Sequence, residues 1–112
     1  MKRKILKSDK FPIFCHKTKI HGKTISRDII HRPDVAAIIA YKNKKIIVVK
    51  HNRFPNGIDI EIPSGNIELN ENPIDCANRE FLEETGYVAN KMTHFFSFFT
   101  SIGYSTQRVH CF

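Results

Sequence analysis

Residues 79–86, Arg79-Glu80-Phe81-Leu82-Glu83-Glu84-Thr85-Gly86, gather three carboxylates near the end of a segment with strong helix signals. Asn72 suits an N-cap, and Pro73 suits the first helical position, where its missing N–H costs nothing. Asp75 favours the positive end of the helix dipole, and Gly86 suits a left-handed C-cap. The spacing therefore predicts a helix from Asn72 to about Thr85. At roughly 100° per residue, Ile74, Ala77 and Phe81 form a narrow apolar stripe. Glu80 and Glu84 lie along one edge of that stripe, with Glu83 just beyond and Arg79 beside Glu83.

This placement opposes local stability. Glu80 and Glu84 form an i,i+4 like-charge pair costing about 0.2 to 0.5 kcal/mol, and acids in the last turn oppose the dipole by about 0.3 to 1 kcal/mol. A hard divalent cation would compensate, because Mg²⁺ or Mn²⁺ takes carboxylate oxygens that converge on one point. Local rules tend to fail at functional sites. Three solvated glutamates screened by nearby lysines are the alternative that this string alone leaves open.

The remaining sequence limits the function class. A chain of 112 residues has room for one core. Its net charge of +7 suggests an anionic partner, although the lysines are dispersed as a solvated surface would also have them. No apolar run approaches the roughly 20 residues of a membrane span, and "MKRKILKSDK" lacks a following apolar signal region, so no membrane partner and a cytoplasmic location are expected. Cys15, Cys76 and Cys111 are odd in number and lack zinc-ligand spacing, which predicts reduced thiols.

Most of the chain outside the helix reads as strand. "TKIHGKTISRDII" is two alternating runs around His21-Gly22, a hairpin signal. Val35 to Tyr41 and Lys45 to His51 are apolar runs joined at Lys42-Asn43-Lys44 and suit strands covered on both faces. "GIDIEIPSG" alternates and stops at Pro63 and Gly65, "HFFSFFTS" and "QRVHCF" read as strand again, and residues 65–71 read as a loop bringing Ser64 near Glu80.

Across 23 residues, Gly65, Glu71, Arg79, Glu80, Glu83, Glu84 and Gly86 carry a longer pattern. It is Gly, five residues, Glu, seven residues, Arg-Glu, an apolar residue, any residue, Glu-Glu, any residue, Gly, an apolar residue. It resembles the Nudix box, with Phe81 and Tyr87 aromatic where that family usually has aliphatic residues. Upstream, "RDIIHRPDVAAIIAYKNKKIIVVKHNRF" and "IEIPSG" resemble the ADP-ribose pyrophosphatase and nucleoside-diphosphate-sugar branch. His51-Asn52-Arg53 stands where that branch commonly has Gln-Tyr-Arg, and Pro63-Ser64-Gly65 where it has Pro-Ala-Gly.

The resemblance implies a Nudix α/β/α sandwich with a mixed sheet, in which residues 1–34 are a basic segment and antiparallel hairpin extension and residues 35–112 the Nudix domain. It implies Mg²⁺- or Mn²⁺-dependent hydrolysis of a nucleoside diphosphate linked to another group, with ADP-ribose or a nucleotide sugar as the expected substrate. Glu80, Glu83, Glu84 and the Ser64 carbonyl correspond to metal ligands. Glu83, Glu84 and Arg79 are the catalytic candidates, with Arg79 orienting a glutamate and Glu71 in a supporting role. Arg27 and Arg53 correspond to substrate-contacting arginines, and the branch implies a homodimer through the N-terminal strands.

"SIGYSTQ" resembles the branch segment Ser-Pro-Gly-x-Ser-x-Glu, with Ile102 and Gln107 replacing its proline and glutamate. The resemblance also implies a further strand, a loop supplying the catalytic base and a closing helix beyond Phe112, so no residue here corresponds to the base. An unpaired edge or exposed apolar strip at "HFFSFFTS" is expected if those elements are missing. A dinucleotide or RNA-cap hydrolase and a non-catalytic nucleotide-binding module are the alternatives. No aromatic-basic RNA motif supports a nucleic-acid partner.

Overall fold

Two sheets and one helix organise the computed structural model, which describes residues 1–6 and 10–112. Residues 7–9 of the expected basic N-terminal segment lie outside the described residues. The first sheet runs antiparallel in the order β1 (Lys2–Leu6), β2 (Ile13–Ile20) and β3 (Lys23–Ile30). Ile20 pairs with Lys23, so His21 and Gly22 form the predicted two-residue turn, and both have the positive φ that a tight hairpin requires, 48° and 75°.

The second sheet has the order β10 (Phe96–Phe99), β11 (Arg108–Cys111), β4 (Val35–Ala37) and β9 (Ser64–Asn66). Strand β11 runs parallel to β4, and the other pairings are antiparallel, so the sheet is mixed as expected. Two hairpins lie between β4 and β9, β5 (Tyr41–Lys42) with β6 (Lys45–Ile46) and β7 (Val49–Asn52) with β8 (Ile58–Glu61). Helix α1 (Pro73–Thr85) packs across β4 and β9.

The long apolar run at residues 35–41 is not one regular strand covered on both faces. Within it only Val35–Ala37 and Tyr41, the first residue of β5, form regular strand, and Ile39 is 49% exposed. Backbone pairing continues irregularly, with Ile38 N–H donating to the Pro63 carbonyl (2.9 Å), Ile39 N–H to Phe112 (2.8 Å) and Ile47 N–H to Ala40 (2.9 Å). Asn43 and Lys44 then turn the chain at φ 52° and 61°, joining β5 to β6.

The core consists of Ala36, Ile38, Cys76, Ala77, Phe81 and Phe112. The predicted stripe is rotated, because Ile74 is 42% exposed and Cys76 is buried in its place. Small side chains at 76 and 77 let the helix backbone approach the short strands closely, and burial pushes the Cys76 thiol up to about 12. All three cysteines are free. The helix ends where predicted, with Gly86 at φ 74° and its N–H donating to the Leu82 carbonyl (2.8 Å). At the other end, the Asn72 side chain does not cap the helix. Its amide donates to Asp75 Oδ2 at 3.3 Å.

Strand β10 forms one edge of the second sheet, and Phe95, Phe96, Phe98 and Phe99 are all exposed. The sheets meet at an Ile30–Ser105 bridge, reinforced by Gln107 Nε2 donating to the Pro33 carbonyl at 3.0 Å. The Cα radius of gyration is 17.3 Å, against about 13 Å for a compact chain of this length. No helix among the described residues is long and apolar enough to cross a membrane.

Candidate active site

The site forms where β9 passes under the second half of α1. Strand β9 pairs with β4, Ala36 against Gly65, which holds Gly65 directly beneath the helix. A Cβ built on Gly65 would fall inside the carboxyl group of Glu80. Glycine at this position therefore makes the space that the Glu80 carboxylate occupies. One turn later, Glu84 Oε2 accepts the Ser64 N–H at 3.3 Å. Residues 64–66 are strand and not the start of a loop, so the close approach of Ser64 to the acids comes from sheet pairing.

Arg79 ties the helix to the loop after β9. Its Nε and one Nη donate to the two oxygens of Glu71 at 2.7 and 2.8 Å, while the other Nη donates to Glu80 Oε1 at 2.6 Å. The guanidinium also donates to the Asn66 carbonyl at 3.2 Å, and Glu71 Oε1 accepts the Glu68 N–H at 3.0 Å. A planar fork satisfies this set, which a lysine could not. Arg79 and the Glu68 amide hold Glu71 down to about 2, and Glu71 and Glu80 push the Arg79 pKa further up.

Glu80 and Glu84 lie on the covered side of α1, their side chains 15% and 16% exposed. Burial raises the Glu84 pKa, opposed by the Ser64 N–H. Glu83 is different. Its side chain is 58% exposed and reaches the cluster only through Arg79, at 3.5 Å. Among the described residues, no three His, Cys, Asp or Glu side chains already converge in a metal-ligating arrangement. The set nonetheless fits a hard cation, because two carboxylates and the backbone of residue 64 are held together where a side chain on residue 65 would block them.

Arg53 borders this cluster, whereas Arg27 belongs to the first sheet. Arg53 grips Glu61 through Nε at 2.7 Å and an Nη at 2.5 Å, which lowers the Glu61 pKa and raises that of Arg53. Arg27 is exposed on β3, its hydrogen bond going to the Ser26 carbonyl at 3.5 Å, and no hydrogen bond or ion pair joins it to the acids. The structure adds two residues for which the sequence offered no role. His51 and Glu61, on neighbouring strands β7 and β8, fill the space between Arg53 and Glu84, with His51 Nε2 3.9 Å from Glu84 Oε1. Their separation in sequence hid them, and the only available signal was histidine in place of the branch glutamine.

Comparison with known proteins accords with this geometry. The chain is 42% identical over 94 residues to an ADP-ribose pyrophosphatase of Bacillus subtilis, covering 82% of this chain and 51% of that protein. It is 31% identical over 106 residues to a GDP-mannose pyrophosphatase of Cronobacter sakazakii, covering 85% and 55%. The chain thus spans about half the length of these curated relatives. A crystal structure of an ADP compounds hydrolase superposes with a TM-score of 0.86 at 18% identity, covering 99% of this chain and 62% of the other, and so shares the fold. The family model for the NUDIX domain matches residues 30–112, and the chain accordingly belongs to the Nudix family.

Proposed function

We propose that this chain carries the cation-binding and phosphate-facing part of a metal-dependent pyrophosphohydrolase acting on ADP-ribose or a related nucleotide sugar. The observation that carries this reading is the Gly65 cradle, which seats the Glu80 carboxylate against Gly65 while Glu84 closes on the neighbouring Ser64 backbone. Glu80, Glu84 and the Ser64 carbonyl would hold Mg²⁺ or Mn²⁺, with Glu83 as an outer carboxylate. When bound, the cation would neutralise charge on the diphosphate and acidify a water molecule. Arg79 keeps Glu71 ionised and fixes the direction of both Glu71 and Glu80, a positioning role. Arg53, already aligned by Glu61, presents cationic donors suited to phosphate oxygens. Water adds to one phosphorus as the P–O–P bond breaks, leaving two phosphate monoesters.

Similarity to proteins named ADP-ribose pyrophosphatase and GDP-mannose pyrophosphatase supports a small nucleotide derivative as substrate. The N-terminal sheet is the surface we assign to a second copy of the chain. The test is a hydrolysis screen over ADP-ribose, nucleotide sugars and capped RNA with Mg²⁺ and with Mn²⁺. Metal-dependent cleavage of a sugar-linked diphosphate is expected. Binding of metal and nucleotide without turnover would replace the enzyme by a binding module.

A further inference from the structure

His51 is unusual among the polar groups of the site. Its Nδ1 is buried without a hydrogen-bond partner, and it lies 3.4 Å from Glu61 Oε1. Both Glu61 oxygens are taken by Arg53, so that carboxylate is ionised. A ring nitrogen facing a carboxylate at this distance is favourable as N–H and repulsive as a lone pair. The proton of the neutral ring therefore belongs on Nδ1, and the lone pair belongs on Nε2. Nε2 in turn stands 3.9 Å from Glu84 Oε1. Two acceptors then face one another across a gap too long for a hydrogen bond.

A cation fits that gap. Two ligands each about 2.1 Å from one ion are about 3.0 Å apart at a right angle, so His51 and Glu84, 3.9 Å apart, need to close by only about 0.9 Å to share one. A carboxylate behind one ring nitrogen and a metal on the other is the usual way an imidazole ligand is oriented.

We propose that His51 Nε2 is a metal ligand alongside Glu84, with Glu61 orienting the ring, and that this nitrogen makes the site prefer Mn²⁺ or Co²⁺ over Mg²⁺. Mn²⁺ and Co²⁺ accept an imidazole nitrogen beside carboxylates more readily than Mg²⁺, which dehydrates reluctantly and keeps oxygen ligands. The inference rests on the metal-site reading above and goes beyond it in ligand set and selectivity. The glutamine expected at this position from the family resemblance offers only an amide, so His51→Gln is the informative exchange.

Mn²⁺ binding is followed by electron paramagnetic resonance, with spin-echo modulation reporting any directly bound ¹⁴N. The wild-type chain should show ¹⁴N modulation, and His51→Gln should lose it. The same exchange should weaken Mn²⁺ about 10- to 100-fold while changing Mg²⁺, measured by competition, by less than about threefold. Glu61→Gln, which keeps the ring, should retain the modulation with weaker Mn²⁺ binding. Mn²⁺ bound to the wild type without ¹⁴N modulation, or an unchanged Mn²⁺ to Mg²⁺ ratio in His51→Gln, overturns this inference alone. A proton bridging His51 and Glu84 would produce that result. Failure of the wild type to bind either cation overturns the metal-site reading together with it.

Discussion

Gly65→Ala separates the two things Gly65 can do, which are to stabilise the sheet and to seat a carboxylate. The added methyl group would collide with the Glu80 carboxyl, the end of a flexible side chain, so Glu80 should move while β9 stays paired with β4. Displacing Glu80 loses its 2.6 Å bond from Arg79. A hydrogen bond between charged groups contributes about 1.5 to 3 kcal/mol, reduced here to about 1 kcal/mol because both partners touch solvent. Residual crowding adds about 1 kcal/mol, and alanine returns about 0.4 to 1 kcal/mol by restricting the unfolded chain. The net loss is about 1 to 2 kcal/mol, a fall in Tm of about 3 to 10 °C. Metal linkage should change far more. Mg²⁺ or Mn²⁺ at 100 times Kd should stabilise the wild type by about 2.7 kcal/mol, and the variant by little. Calorimetric melts with and without metal measure both quantities. A Gly65→Ala protein that keeps the wild-type metal-induced shift would refute the cradle as a metal-site feature.

Glu84→Gln should leave Tm without metal unchanged or slightly raised, because it relieves the Glu80–Glu84 repulsion, and should abolish most metal-induced stabilisation in the same melts. Glu71 has its folded pKa depressed from 4.5 to about 2, so its contribution is full above the unfolded value and is lost as pH falls from about 4.5 towards 2. Arg79→Gln should flatten stability across that acid window, measured by urea midpoints at about pH 7 and pH 3. An equally steep loss in the variant would assign acid sensitivity elsewhere. Gly86→Ala should cost about 1 to 2 kcal/mol in denaturant melts, since φ of 74° is strained for any residue with a Cβ. A neutral outcome would mean that the helix end relaxes.

How much of this was legible in the sequence depended on the range of each interaction. Helix α1, its Gly86 stop and the hairpin at His21-Gly22 follow from capping, dihedral preference and periodicity, which act within a few residues. The acids at 80 and 84 were readable because a helix sets their spacing by itself. The turn of the helix about its own axis was not. Cys76 is buried and Ile74 exposed because the short strands β4 and β9 admit small side chains close to the helix, and apolarity alone ranks isoleucine as the better core residue. Likewise, the Ile- and Val-rich run at 35–41 carries strand propensity throughout, but pairing with Pro63 and Phe112 decided where regular strand ends. The pairing of Ala36 with Gly65 decided that residue 65 sits under Glu80, and the neighbouring hairpin decided that His51 and Glu61 stand against Glu84. Those contacts join residues that are distant in sequence, so no local preference encodes them. Composition and spacing determined which chemical groups this protein possesses, and strand register determined which of them meet.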